Sequence, residues 1–144
     1  AYGTIAGIKK AYPKIRLGVV WIDAHADIHT PFTTPSGNMH GMSVAMAFGM
    51  DNLECKVNDP RGETLDYWEQ IKNVGIPGPK ILPEDIVYIA VRDLEKPENY
   101  LINKYNINFI ETEDVKKLGG AKIAEKTLAM LDHCDMIYVS FDVD

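Results

Sequence analysis

The sequence predicts an α/β protein, a three-layer α/β/α fold whose mostly parallel sheet is covered by helices on both faces. Short apolar runs rich in β-branched residues alternate with amphipathic stretches along the chain, which is the order of elements in parallel sheets. The runs Leu17–Ile22 and 86–91 are apolar almost throughout, as expected of strands buried on both faces. Acidic residues directly follow two of the predicted strands, at the end where open α/β sheets form their sites.

In the first half of the chain, apolar residues at helical spacing predict a helix over residues 2–12. It ends before Pro13, because the residue before a proline avoids the helical conformation. Leu17–Ile22 is the first predicted strand. The stretch 29–41 is rich in turn residues and small hydroxyls without periodicity, which predicts a loop. Residues 42–49 are apolar and predict a short helix.

In the second half, helices and strands alternate. The predicted helices cover residues 63–74, 98–105 and 113–131, with the Gly119-Gly120 pair as an expected interruption of the last. The predicted strands cover residues 86–91, 108–111 and Met136–Phe141. This order of elements indicates a sheet built from parallel crossover units.

The length of 144 residues is that of one domain, so we expect a single domain over residues 1–144. The chain begins at Ala1 without a methionine and finishes on a candidate ligand, Asp144. We therefore expect the domain to be truncated at both ends.

Charge and cysteine content exclude several classes of partner. The formal net charge of −6 argues against nucleic acid and acidic membrane surfaces. No apolar stretch is long enough to span a bilayer, and no signal peptide is visible. Cys55 and Cys134 have no metal-type spacing between them, which predicts reduced thiols of a cytoplasmic protein.

Three residues with metal-ligand side chains follow the first strand. Asp23, His25 and Asp27 are spaced two apart, and alternate residues of an extended backbone point the same way. On a helix the two aspartates would share a face without His25, so we expect an extended segment. Asp142 and Asp144 repeat the spacing after the last strand. If the two strands are neighbours, four aspartates and one histidine meet in one crevice.

Four carboxylates at one place repel each other by an amount on the order of 10 kcal/mol, comparable to the stability of a domain. Neither motif contains a lysine or arginine to neutralise them, whereas two divalent cations would balance the charge. Oxygen-rich ligands with one imidazole favour Mg- or Mn-type ions. We therefore predict a binuclear metal site. The alternative is that these acids are helix caps or solvated loop residues.

Two divalent ions that share a water lower its pKa, so a hydroxide nucleophile is available near neutral pH. This favours hydrolysis without a serine or cysteine nucleophile. His40, on the loop beyond the ligands, is a candidate for moving a proton to a leaving amine, but a loop histidine bonded to backbone explains it equally. His133 lies far from both motifs and is expected at the surface. Uncharged groups that suit a small polar substrate, or simply form turns, are Thr33, Thr34, Ser36 and Asn38.

These motifs resemble the ureohydrolase family, and its arginase branch most closely. The run Asp23-Ala24-His25-Ala26-Asp27 is similar to the family's second metal segment, and Ser140-Phe141-Asp142-Val143-Asp144 is similar to its third. The stretch 30–41 is similar to the arginase substrate loop, in which agmatinases usually differ. The similarity also includes residues 86–100 and 118–131, so that it spans most of the chain.

The resemblance implies an arginase-like α/β/α fold with two Mn²⁺ ions per active site. It implies hydrolysis of the guanidino group of L-arginine to L-ornithine and urea by attack of a metal-bridging hydroxide. The implied metal ligands are Asp23, His25, Asp27, Asp142 and Asp144. Asp27 would also orient the hydroxide and the guanidinium, and His40 corresponds to the family's proton shuttle. The family's usual assembly is a homo-oligomer, either a trimer or a hexamer.

The resemblance also implies substrate-binding residues. Thr34 and Ser36 match positions that recognise the α-carboxylate, and Asn38 lies in the same loop. Two further positions depart from the family pattern. His29 stands where arginases commonly have an asparagine that contacts the α-carboxylate, and Glu95 stands where an aspartate commonly contacts the α-amino group.

The remaining parts of the family's site are expected outside this sequence. The first metal segment, with one histidine ligand, should lie just before Ala1, and the glutamate that contacts the guanidinium should lie well after Asp144. The alternatives that stay open are a ureohydrolase acting on agmatine, formiminoglutamate or another guanidino compound, and a non-catalytic protein that keeps the fold.

Overall fold

The computed structural model describes residues 1–143, which form six α-helices and four strands. Helices α1 to α6 cover Tyr2–Ala11, Ser43–Phe48, Glu63–Lys72, Lys96–Lys104, Thr112–Leu118 and Gly120–Met130. Strands β1 to β4 cover Leu17–Ile22, Ile86–Ile89, Asn108–Ile110 and Met136–Phe141. Short 3₁₀ turns lie at Met39–Met42, Leu53–Cys55 and Pro83–Asp85.

The four strands form a parallel sheet in the order β3-β2-β1-β4. β1 lies inside the sheet, where Val19 pairs with Ile86 of β2 and with Tyr138 of β4. The predicted α/β class and parallel sheet are thereby confirmed. Because the strands run the same way, their carboxyl ends meet at one edge, and the two strands that precede the acidic motifs are neighbours.

Alternate residues of β1 face opposite sides of the sheet and belong to two apolar clusters. Leu17, Val19 and Trp21 pack with residues of α1, α2, α3 and α4. Val20 packs with residues of α5 and α6. β1 and β2 are therefore covered on both faces, which explains their continuous apolar runs, whereas β4 at the edge of the sheet is largely exposed.

The predicted helix over 113–131 is divided in the structure. α5 ends before Gly119, which adopts φ 77°, and α6 begins directly after it. This is the interruption expected from the glycine pair. The other helices agree with the predicted ranges to within two residues at each end. None of the helices among the described residues is long and apolar enough to cross a membrane.

The predicted strand over 86–91 is shorter in the structure. β2 ends at Ile89, because Ala90 adopts φ 63° and leaves the extended conformation. This turn directs the chain toward the end of β1, where the N–H of Asp93 donates to the carbonyl of Ala24 at 3.0 Å. The residues after β2 are thus joined to the residues after β1.

Gly75, in the loop that follows α3, lies directly against the backbone of α1. Its φ is +82°, and a Cβ there would come within 2.5 Å of the carbonyl oxygen of Ala6. Gly75→Ala should lower the free energy of unfolding by about 2–4 kcal/mol, because clash and backbone strain add. Gly78→Ala is the control, since Gly78 has φ +76° but open space, and should cost about 1 kcal/mol. Urea denaturation measures both; equal losses would show that the contact with α1 is unimportant.

Candidate metal centre and active site

The segment after β1 leaves the sheet at its carboxyl end and is held there by neighbouring backbone. The N–H of Asp23 donates to the carbonyl of Ile89 on β2 at 3.4 Å. The backbone then bends at Asp23 and Ala24, and Asp27 adopts φ 50°. As predicted, the segment is not helical, and His25 forms a single parallel bridge with Asp93, but the prediction of an extended backbone throughout is wrong. Bends and a left-handed residue, rather than the alternation of a strand, set the directions of these side chains.

Two buried aromatic residues bind the carbonyl groups of this segment. The indole N–H of Trp21 donates to the carbonyl of His25 at 3.2 Å, and the hydroxyl of Tyr88 donates to the carbonyl of Ala26 at 2.8 Å. Both rings are buried. The sequence predicts them only as strand residues. Trp and Tyr each carry a hydrogen-bond donor that needs a partner when it is buried. A Trp or Tyr at a predicted core position is therefore the sequence signal that the side chain also binds a nearby backbone carbonyl.

Tyr88→Phe removes one of these donors and leaves the carbonyl of Ala26 without its buried partner. We expect stability to fall by about 1–3 kcal/mol and metal affinity to fall about 10- to 100-fold, the usual effect of losing a group that positions a ligand. Tyr12→Phe, the same change at an exposed position, should alter neither value. Calorimetric titration with Mn²⁺ measures the affinity, and an unchanged Kd in Tyr88→Phe would contradict a positioning role.

The candidate metal ligands face a cavity of about 450 Å³ at the carboxyl ends of the strands. Oδ1 of the buried Asp23 accepts the N–H of His25 at 2.8 Å and lies 3.5 Å from its Nδ1. Nε2 of His25 lies 3.7 Å from Oδ2 of Asp93. Asp142, directly after β4, reaches the same cavity because its N–H donates to the carbonyl of Ile22 at 2.9 Å.

Burial raises the pKa of Asp27 to about 7, and the charge of Asp23 adds to this effect. Glu98 and Asp142 raise this pKa as well, whereas His25 lowers it. Carboxylates that raise one another's pKa are stabilised by a nearby divalent cation. Carboxylate oxygens with an imidazole nitrogen are ligands that Mn²⁺ accepts. The residues present therefore fit the predicted metal centre.

The loop before α2 forms another wall of the cavity. Its shape is maintained by Asn58, whose Nδ2 donates to the carbonyl of Thr34 at 2.6 Å. The hydroxyl oxygens of Thr34 and Ser36 accept backbone N–H groups at 3.0 and 3.2 Å, so both residues also form turns. His40 lines the cavity and is exposed, so its ring is accessible to both cavity and solvent.

His29 is buried beside two glutamates of the same cavity. Its Nδ1 lies 3.1 Å from the hydroxyl of Thr33, whereas its Nε2 has no hydrogen-bond partner among the described residues. Nε2 lies 3.8 Å from Oε2 of Glu95 and 3.7 Å from Oε2 of Glu98. Burial raises the pKa of Glu98, which also accepts the N–H of Glu95 at 3.0 Å. These polar groups suit the charged end of a small substrate.

The structure places the predicted site residues around this cavity, except Asp144, which lies outside the described residues. Those that line it are Asp23, His25, Asp27, His29, Thr34, Ser36, Asn38, His40, Glu95 and Asp142. Thr33 is buried next to His29. Asp93 and Glu98 also line the cavity, and sequence reasoning missed them, although both follow β2 at its carboxyl end. The roles of all these residues as ligands or substrate contacts stay predictions.

A parallel sheet whose strand ends carry a cavity of carboxylates, histidines and hydroxyls defines an α/β protein with a site for small polar molecules. The model of the Arginase family matches residues 1–144. The chain belongs to the arginase family, and the resemblance seen in its motifs is thereby confirmed.

Named relatives agree with this assignment. "Arginase-2, mitochondrial" of Bos taurus is 39% identical over 100% of this chain and 37% of its own length. "Arginase" of Bacillus subtilis is 35% identical over 100% of this chain and 43% of its own length. The crystal structure of Entamoeba histolytica arginase in complex with L-ornithine has a TM-score of 0.79 at 36% identity, covering 99% of this chain and 43% of that one. The chain thus spans about two fifths of the length of these curated relatives.

Proposed function

We propose that the protein is a manganese-dependent ureohydrolase of the arginase type, which hydrolyses L-arginine to L-ornithine and urea. The observation that carries the proposal is that the acidic motif after β1, Asp142 after β4 and the polar loop before α2 line one cavity. Membership of the arginase family supports it, as do relatives at 35–39% identity that are named arginases.

In this proposal two Mn²⁺ ions are held by Asp23, His25, Asp27, Asp142 and Asp144. When bound, such ions lower the pKa of water, so that hydroxide is available for hydrolysis near neutral pH. The ligand set contains no thiolate, which favours Mn²⁺ over softer metals. Asp23 offers a fixed oxygen to a cation, because it is buried and its Oδ1 is already oriented by the N–H of His25.

Asp27 and His40 act on the substrate itself. An ionised Asp27 attracts and orients the positive guanidinium, since it lies within the same cavity as the other acids. His40, on the Met39–Met42 turn, passes a proton to the leaving amine and exchanges protons with solvent, to which it is exposed.

The amino-acid end of L-arginine binds between the polar loop and the residues that follow β2. The side chains of Thr34, Ser36 and Asn38 offer hydroxyl and amide donors to the α-carboxylate. Glu95 offers a negative charge to the α-ammonium group. Nε2 of His29 lies 3.8 Å from Oε2 of Glu95 and is available for a further hydrogen bond.

Urea release by the Mn²⁺-loaded protein, with L-arginine and agmatine as parallel substrates, tests the proposal. Agmatine carries the same guanidinium but lacks the α-carboxylate, so the donors for that group would be left unpaired. We expect kcat/KM for agmatine to be at least about 10²-fold lower than for L-arginine. Equal turnover of the two substrates would contradict the arginase type. If neither substrate gave urea, both L-arginine and agmatine would be excluded as substrates.

A second candidate is a ureohydrolase acting on agmatine, formiminoglutamate or another guanidino compound. His29 and Glu95 favour it, because both differ in size from the residues of the family pattern. The double variant His29→Asn with Glu95→Asp separates the candidates. If L-arginine is the substrate, its kcat/KM should change by less than about 10-fold; a large gain in L-arginine turnover would support the second candidate.

We further propose that the protein is a cytoplasmic homo-oligomer, a trimer or hexamer. Cys55 and Cys134 are both free thiols, as is usual in reducing compartments. The relatives include a mitochondrial protein as well as a bacterial one, which makes the mitochondrion the alternative location. Analytical ultracentrifugation of the purified protein gives the subunit number, and a monomer would contradict the assembly.

A further inference from the structure

A second group of metal-ligand side chains lies at the other end of the sheet. Asp85 directly precedes β2, and His133 and Cys134 lie in the turn before β4. One ligand atom from each of the three lies within 4.8 Å of the others. Because parallel strands begin at the edge opposite to the one where they end, this group is remote from the arginase-type cavity and shares no residue with it.

Three donors converge on one oxygen of Asp85. Its Oδ1 lies 2.8 Å from Nε of Arg16, 2.9 Å from Nε2 of His133 and 3.8 Å from Sγ of Cys134. Its Oδ2 accepts the N–H of Leu82 at 3.3 Å, which fixes the carboxyl group. An oxygen with two lone pairs cannot accept three well-aligned hydrogen bonds at once. A cation that replaced the protons of the imidazole nitrogen and the thiol would turn two competing donors into ligands.

We propose that Asp85, His133 and Cys134 form a site for a zinc-class divalent ion, separate from the manganese centre, which ties the beginning of β2 to the beginning of β4. A carboxylate oxygen, an imidazole nitrogen and a thiolate are zinc ligands, whereas Mn²⁺ and Mg²⁺ prefer sites without sulfur. Ligand atoms of a tetrahedral zinc site lie roughly 3.3–3.6 Å apart, given their bond lengths. The observed separations of 2.9 and 3.8 Å from Oδ1 to nitrogen and sulfur need only small adjustments.

The side chains around Asp85, His133 and Cys134 have a net negative charge. Arg16 contacts Glu84 at 3.1 Å, and its backbone N–H donates to Asp135 at 2.7 Å. Oδ1 of Asp132 lies 3.8 Å from Nδ1 of His133. A carboxylate on this side of the ring favours a proton on Nδ1, which leaves Nε2 free to bind a metal. The acidic groups outnumber the guanidinium, which favours an added cation.

Strand β1 provides room for the thiol. A Cβ at Gly18 would come within 3.1 Å of Sγ of Cys134, so glycine at this position lets the sulfur lie against the strand. On binding, the thiol of Cys134 releases its proton to solvent. The proton that His133 donates from Nε2 without the ion moves through solvent to Nδ1, beside Asp132, so the imidazole stays neutral and one proton is released in all. Nothing is oxidised or reduced in this step.

Cobalt(II) provides a direct test, because a thiolate ligand gives Co²⁺ an intense charge-transfer absorption in the near ultraviolet that oxygen and nitrogen ligands do not. The ligands of the manganese centre include no cysteine, so titrating the Mn²⁺-loaded protein with Co²⁺ reports on the new site. We expect the band to saturate at one Co²⁺ per chain in the wild type and in Cys55→Ser, and to be absent in Cys134→Ser. No band in the wild type, or a band that persists in Cys134→Ser, overturns the proposal.

His133→Gln is a second variant that keeps the thiol. We expect its affinity for Co²⁺ to fall at least about 10-fold, and an unchanged affinity would overturn the proposal. Zn²⁺ should raise the Tm of the wild type and Cys55→Ser, but not that of Cys134→Ser. Should Cys134→Ser not fold by circular dichroism, His133→Gln decides the question. None of these measurements needs turnover, so they are independent of whether L-arginine is the substrate.

Discussion

Asp27→Asn should lower the rate of urea release at least about 10³-fold while making the metal-stripped protein more stable. Asparagine keeps the size of the side chain and tolerates the φ of 50° at this position, so the backbone is preserved. In the proposed mechanism it replaces a charged metal ligand by a neutral oxygen, which weakens metal binding, and it removes the charge that orients the guanidinium. A thousandfold loss corresponds to about 4 kcal/mol of transition-state stabilisation.

The gain in stability follows from the pKa of Asp27, which burial and the charge of Asp23 raise from 3.8 to about 7. A carboxyl group whose pKa is higher in the folded state destabilises the fold progressively as pH rises between these two values. Asp27→Asn removes this effect. We expect a gain of about 1–2 kcal/mol above neutral pH, reduced by solvent screening in an open cavity, and none at pH values below 3.8.

Two measurements check the prediction for Asp27. The rate of urea release is compared in Mn²⁺-loaded proteins, and urea denaturation is compared in metal-stripped proteins at acidic and neutral pH. Asp66→Asn, at an exposed position of α3, is the matched control and should change stability by less than about 0.5 kcal/mol. Undiminished turnover in Asp27→Asn, or lower stability of its metal-stripped form at neutral pH, would show that the carboxylates do not act as proposed.

His40→Ala should lower kcat about 10²- to 10⁴-fold, the usual contribution of a general acid, and leave the metal content unchanged. His40 lies on an exposed turn, and it is not one of the residues that fit the metal centre. Its removal therefore should not alter the fold or the bound ions. The effect differs from that of Asp27→Asn, in which metal affinity and rate fall together.

Met39→Ala is the neighbouring control for His40, because Met39 is exposed on the same turn but does not line the cavity of the site residues. It should leave kcat within about threefold of the wild type. Metal content by atomic emission and kcat from urea release are measured on the same samples. A loss in His40→Ala below tenfold, or one accompanied by loss of metal, would remove His40 from the proton-transfer role.

The order of elements, the α/β class and the location of the acidic motifs at strand ends were predictable from local pattern. Apolar periodicity separates helix from strand, and continuous apolar runs mark strands covered on both faces. The loop before α2 was equally predictable, because turn residues such as those around Ser36 and Gly37 interrupt the periodicity. Each of these signals depends on residues close together in the chain.

The directions of the side chains were not predictable in this way. Two-residue spacing indicated an extended segment after β1, but the bends at Asp23 and Ala24 are stabilised by hydrogen bonds to the chain that follows β2. The sequence predicts Trp21 and Tyr88 as core residues, and only their hydrogen bonds show that they hold the segment after β1. Such partners lie up to 62 residues away, so local spacing carries no information about them.

By itself, then, the sequence determined the elements, the parallel sheet and the residue types at the ends of β1 and β4. Only the tertiary structure decided that β1 and β4 are neighbours and that Glu98 joins the cavity. It also decided that His133, which is exposed as predicted, meets Asp85 and Cys134 at the opposite edge of the sheet. The reason is physical: helix and strand formation depends on neighbours along the chain, whereas a site depends on strand order and on backbone turns stabilised by distant partners.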